Sequence, residues 1–156
     1  MLARQTPLHG DHSRQNQCPN SFGHCTSDKS IYDSAQRAGL IVRGSANGDV
    51  GTWIFYDTAS QTLTLDRSRS GNIRFSNAFS KQHIVYMPLE NGKLRLTVLV
   101  DRNSVEVFTG DGRTVITDLI FPAPDDNRVS VFADNGEATF SDMTITRLAG
   151  PRGAKQ

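Results

Sequence analysis

The 156-residue chain predicts an all-β fold, an antiparallel sandwich of two sheets. Three observations carry this. The stretch from Lys93 to Phe121 reads as three consecutive strands with their turns written in. About nine short apolar runs recur at regular spacing from Gly39 onward, bounded by Gly, Asn, Asp and Ser. No helical period interrupts them.

Taken in order, Leu40-Ile41-Val42-Arg43 is the first strand of the regular series, and Gly44 to Gly51 is a polar turn. Thr52 to Asp57 and Thr62 to Asp66 follow. Ile84 to Met87 precedes Pro88, which ends the pairing because it has no N–H to donate. Leu94, Leu96, Val98 and Val100 then alternate with Arg95, Thr97 and Leu99, the period of two expected of a strand with one buried face. Asp101 to Ser104 supplies turn residues before Val105 to Phe108. Gly110-Asp111-Gly112 makes a second tight turn, and Thr114 to Phe121 completes the meander. Arg128 to Phe132 and Phe140 to Leu148 close the module, with Asp134-Asn135-Gly136 as the turn between them.

Composition changes near residue 38. Residues 1–37 have few aliphatics and many polar side chains, which predicts loop or disorder, with Ser30-Ile31-Tyr32 at most a short edge strand. Residues 38–149 form one β-sandwich domain, and 150–156 are a frayed tail of Gly, Pro and basic residues.

Charge excludes several function classes. Seventeen Lys plus Arg oppose sixteen Asp plus Glu, and the basic residues are scattered, so no electrostatic footprint for nucleic acid is present. No run of eighteen apolar residues offers a membrane-spanning helix. The first seventeen residues lack the apolar stretch of a secretory signal, which leaves the compartment unassigned. Cys18 and Cys25 lie in a segment that also holds His9, His12 and His24, but their separation matches no usual zinc spacing. A local disulfide and two free thiols are both compatible with it. No metal and no cofactor are expected.

Asp101 and Glu106 are the obvious carboxylates beside the first hairpin turn, and a glycosidase needs two. A general acid must hold its proton at neutral pH, and Arg102 beside them works in the opposite sense, so catalysis by this pair is not expected. Turn chemistry is the plain role: Asp101 accepts from turn amides, and Glu106 pairs across the strands. The sharper role is sugar contact, since carboxylates accept from vicinal hydroxyls while Arg102 and Arg67 donate to sugar oxygens. Asp66-Arg67-Ser68-Arg69-Ser70-Gly71 sits at a strand end, where it either presents Asp66 and Arg67 to a ligand or joins them in an ion pair that holds the loop. Trp53 and Tyr56 fall on opposite parities of one strand, with Trp53 expected in the core and Tyr56 available as a stacking surface. His83 is the sole histidine of the sandwich, and no nucleophile elbow or phosphate loop occurs.

VDRNSVEVFTGDGRTVITDLIFP, with the upstream LDRSRSG at Leu65 to Gly71, resembles the C-terminal β-sandwich module of glycoside hydrolase family 32, the levanases, inulinases and invertases. The resemblance runs from about Ala38 to Leu148. It implies a jelly-roll sandwich of the concanavalin A-like lectin and glucanase type. It also implies a catalytic five-bladed propeller elsewhere in the parent enzyme, which is often secreted. That propeller carries its carboxylates in Asn-Asp-Pro-Asn, Arg-Asp-Pro and Glu-Cys segments, none of which occurs in this chain. The expected function is therefore a non-catalytic, carbohydrate-contacting module for β-fructosides such as levan or inulin. Its candidate binding residues are Tyr56, Asp66, Arg67, Asp101, Arg102 and Glu106. The alternative is a structural module that packs on the propeller or on a second subunit. Family sandwiches begin with one or two further strands, which residues 1–37 do not visibly supply. An open sheet edge covered by a second copy or by the propeller is expected on that account.

Overall fold

The computed structural model describes residues 23–30, 34–76, 79, 81–89, 91–110 and 112–147, the first of these segments through its backbone alone. Ten strands run through them: β1 (Gly23–Ser30), β2 (Arg37–Gly44), β3 (Gly51–Asp57), β4 (Thr62–Arg69), β5 (Gln82–Tyr86), β6 (Lys93–Val100), β7 (Ser104–Thr109), β8 (Val115–Leu119), β9 (Arg128–Asp134) and β10 (Thr139–Arg147). They form two five-stranded sheets, ordered β10-β1-β6-β7-β8 and β5-β4-β3-β2-β9, in which every strand pair is antiparallel.

The core lies between them. Leu40, Val42, Ile54, Tyr56, Leu63 and Leu65 face inward from the second sheet, and Leu94, Leu96, Val98, Val105, Val107 and Ile116 face them from the first. Each fully buried aliphatic side chain stabilises the fold by about 1.5–3 kcal/mol relative to exposure, so register follows from which parity carries these residues. On β6 and β7 the expected parity is the observed one: Leu94, Leu96, Val98, Val105 and Val107 are buried.

The expectation for residues 1–37 is corrected in part. Gly23–Ser30 is a strand, and it is interior to its sheet, paired with β6 from Gly23↔Val100 to Ser30↔Lys93 and with β10 from Gly23↔Arg147 to Ser30↔Thr139. β2 also starts one residue earlier than the boundary at 38. The segment HCTSDK carries so few apolar residues that its pairing was not legible; the backbone hydrogen bonds of two flanking strands hold it. The strand that was missing from the sequence reading is thus supplied by the chain itself. Ile31, Tyr32, Cys18 and the tail 150–156 lie outside the described residues.

The ends of the sheets are tied by polar contacts. Asp101 closes the β6–β7 turn, its N–H donating to the Ser104 carbonyl at 2.9 Å and its carboxylate accepting from the Arg102 N–H. Gly71, at φ 98°, bridges to Phe121; a Cβ there would fall against the Phe121 carbonyl, so only glycine fits.

Candidate functional site

The outer face of the β5-β4-β3-β2-β9 sheet holds the candidate site. Its residues are placed by pairing alone: Gln82 on β5, Asp66 on β4, Trp53 on β3, Ile41 on β2 and Ser130 on β9 lie in one row across the sheet. The next row is Ile84, Thr64, Phe55, Gly39 and Phe132, and the next Tyr86, Thr62, Asp57, Arg37 and Asp134. Gly39 stands between two aromatic residues, so the floor there has no side chain. Trp53 and Phe132 meet edge to face at 4.7 Å between centroids, and Phe55 and Phe132 at 6.3 Å, both arrangements that the ring quadrupoles favour.

A depression of about 290 Å³ opens on this face, lined by Arg37, Trp53, Phe55, Asp66, Ser68, Arg69, Gln82 and Asp134. Its charges balance, two guanidiniums against two carboxylates. Arg37 is tied to Asp134 at 2.8 Å and lies over the Phe55 ring at 5.6 Å. Gln82 donates to Asp66 at 2.6 Å, and Asp66 also accepts from the Ser68 N–H at 2.7 Å. The Arg69 guanidinium lies over Trp53 at 5.1 Å.

A β-bulge in the DRSRSG segment creates half of this lining. The β3–β4 register shifts between Gly51↔Arg69 and Trp53↔Asp66, so three steps along β4 match two along β3. Strict alternation would put Arg67 and Arg69 on the same face. The extra residue breaks it: Arg67 turns inward, while Asp66, Ser68 and Arg69 line the depression.

The six candidate residues separate into three places. Asp66 is at the depression. Tyr56 is a core residue, 1% exposed, with its hydroxyl donating to the Met87 carbonyl at 3.0 Å; burial raises its pKa. It has no face to offer a sugar, and Trp53, expected in the core, is the strand's outward aromatic. The strand TWIFYD is apolar on both parities, so sequence alone could not choose between them. Arg67 is also buried, and it pairs at 3.2 Å with Asp118 of β8, which His83 Nδ1 also meets at 2.8 Å. The ion pair between Asp66 and Arg67 is not formed, because the two point to opposite sides of β4. Asp101, Arg102 and Glu106 belong to the other sheet: the first two lie at its β6–β7 turn, and Glu106 is on its outer face between Leu99 and Thr117. They share no surface with Asp66.

Sequence reasoning missed Arg37, Trp53 as an outward residue, Phe55, Gln82, Phe132 and Asp134. The usable signal was the presence of aromatic residues on both parities of β3, which forces one set outward. Among the described residues no group of His, Cys, Asp and Glu is assembled to hold a metal ion.

Two five-stranded antiparallel sheets packed on one core define the class as a β-sandwich module. The chain belongs to the family described as "Glycosyl hydrolases family 32 C terminal", which matches residues 5–147. The levanase of Bacillus subtilis (strain 168) is 40% identical over 117 residues, 74% of this chain and 17% of that protein. The extracellular exo-inulinase of Aspergillus ficuum is 42% identical over 97 residues, 62% of this chain and 18% of that protein. The chain thus spans under a fifth of the length of these relatives. The crystal structure of exo-inulinase from Aspergillus awamori superimposes with a TM-score of 0.77 at 30% identity, covering 84% of this chain and 26% of that one. The carbohydrate binding module CBM66 from Bacillus subtilis shares the fold, with a TM-score of 0.54 at 17% identity, covering 81% of this chain and 75% of that one.

Proposed function

We propose that this domain is the non-catalytic, carbohydrate-contacting part of a fructan-acting enzyme, and that it takes β-fructosides such as levan or inulin on the outer face of the β5-β4-β3-β2-β9 sheet. The observation that carries this reading is the depression itself. Trp53 and Phe55 offer apolar surface to the C–H face of a sugar ring, while Asp66, Gln82, Arg37 and Asp134 surround it with acceptors and donors for hydroxyls. Neutral net charge at the rim suits a neutral saccharide. The names of its relatives, levanase and exo-inulinase, and of the carbohydrate binding module that shares its fold, support the same class of ligand.

A packing role has support from a second surface. Phe75, Phe79 and Phe121 cluster at centroid separations of 5.0 and 5.1 Å about Phe75, which remains 58% exposed, as does Leu119. Exposed apolar side chains gathered in this way are expected of a surface that meets a catalytic propeller or a second subunit.

Calorimetry with levan and inulin tests the carbohydrate reading. Binding in the millimolar-to-micromolar range, about 4 to 8 kcal/mol, is expected, with no fructose released from either polymer. Absence of heat with both polymers leaves the packing role, and fructose release that tracks the purified protein overturns the non-catalytic assignment.

A further inference from the structure

The two arginines of the depression are held in different ways. Arg37 is fixed by a carboxylate, Asp134, at 2.8 Å. Arg69 makes no ion pair among the described residues; its contact is the ring of Trp53, 5.1 Å from guanidinium carbon to centroid. Trp53 meets Phe132 edge to face on the β9 side, the Arg69 guanidinium lies over its ring, and both Trp53 and Arg69 line the depression. Arg69 reaches it only because of the bulge in β4, which turns this residue out of the core-facing parity.

We propose that Arg69 is a displaceable cap on the Trp53 platform, and that a fructoside must move its guanidinium aside before the sugar's C–H face can stack on the ring. This rests on the carbohydrate-contacting role proposed above, and it assigns Arg69 and Arg37 opposite effects. The guanidinium's hold on the ring is a cation–π contact at an exposed position, among the weaker of its kind, and no carboxylate reinforces it. The side chain has several rotatable bonds and an aqueous rim to swing into, where its charge stays solvated. Arg37, pinned by Asp134 and lying over the Phe55 ring, stays in place as a fixed donor.

Trp53 is the chain's one tryptophan, so its fluorescence reports this ring alone. The experiment compares wild type, R69A and R37A, first by acrylamide quenching without sugar and then by fluorescence titration with levan and inulin. The cap predicts a larger quenching constant for R69A than for wild type. It also predicts levan binding about two- to five-fold tighter in R69A, the gain from removing a contact of this strength, and weaker binding in R37A. Equal quenching of wild type and R69A overturns the cap, because the ring was not covered. Weaker binding by R69A also overturns it and makes Arg69 a ligand-contacting donor, with the carbohydrate role intact. Larger quenching in R69A with no fructan bound by any variant removes the carbohydrate role, and with it the inference, since the cap then gates nothing.

Discussion

Arg67 of β4 and Asp118 of β8 meet at 3.2 Å between the two sheets, both almost wholly buried. Asp118 also meets His83 Nδ1 at 2.8 Å, and Arg67 donates to the Leu119 carbonyl at 2.8 Å. The guanidinium stacks over Phe79 at 3.8 Å. Arg67 is thus a clasp between the inner strand β4 of one sheet and the edge strand β8 of the other, and its place in the DRSRSG segment reflects that role.

Removing Asp118 leaves a guanidinium buried without its counter-charge. Asp118→Ala is expected to cost about 3–5 kcal/mol of stability, read as a shift in urea midpoint, with Asp118→Asn losing less because its amide oxygen still accepts. A midpoint unchanged in the alanine variant means that the clasp contributes nothing.

Trp53 and Tyr56 are three residues apart and have opposite roles. Trp53→Ala is expected to abolish levan binding while the fold is kept, since the ring is half-buried on the outer face. Tyr56→Phe should leave binding unchanged and cost about 0.5–1.5 kcal/mol through loss of the hydroxyl's bond to Met87. Thermal melts and calorimetry on both variants separate the two; binding lost only in Tyr56→Phe reverses the assignment.

Gly39 forms the floor between Phe55 and Phe132, and a Cβ there would collide with the Ile54 carbonyl and come within 2.6 Å of the Phe55 Cα. Backbone cannot move aside as a flexible side chain can. Gly39→Ala should therefore destabilise by about 1–3 kcal/mol and blunt fructan binding, whereas Gly48→Ala, at φ 80° with open space around it, should show backbone strain without a clash. Equal Tm values for Gly39→Ala and wild type would mean the strand yields.

Asp57 has its carboxyl held below the ordinary aspartate range, first by the Ser60 N–H and further by the Ser60 hydroxyl, the Ala59 N–H and Arg37, against a smaller opposing effect of burial. A folded-state pKa below the unfolded one means the folded state binds the proton less readily. Its contribution is present above the unfolded value and is lost as pH falls through the folded one. Acid titration of stability below about pH 4 should therefore be shallower in Asp57→Asn than in wild type; parallel curves would remove Asp57 as a source of acid sensitivity.

How much was legible follows from where the physics is local. Leu94, Leu96, Val98, Val105 and Val107 announce strand and buried face at once, because a period of two with one apolar parity has a single solution against a core. The hairpin at Asp101 to Ser104 was equally readable, since its turn chemistry lies within four residues. β1 was not: its sequence is polar, and its position comes from pairing with β6 and β10, some seventy and more than a hundred residues away in the chain. The orientation of Trp53 against Tyr56 needed the opposing sheet, because both parities of β3 are apolar and only the core can choose one.

The site shows the same division. The sequence by itself determined an antiparallel β-sandwich and the polar, arginine-bearing strand end at Asp66 to Gly71, because alternation, turn residues and local bonding act over a few positions. Only the tertiary structure decided that Arg67 points inward to Asp118 while Arg69 lies over Trp53, because that depends on one extra residue in the β4 ladder, and a bulge is set by the fit of two strands rather than by the residues of either.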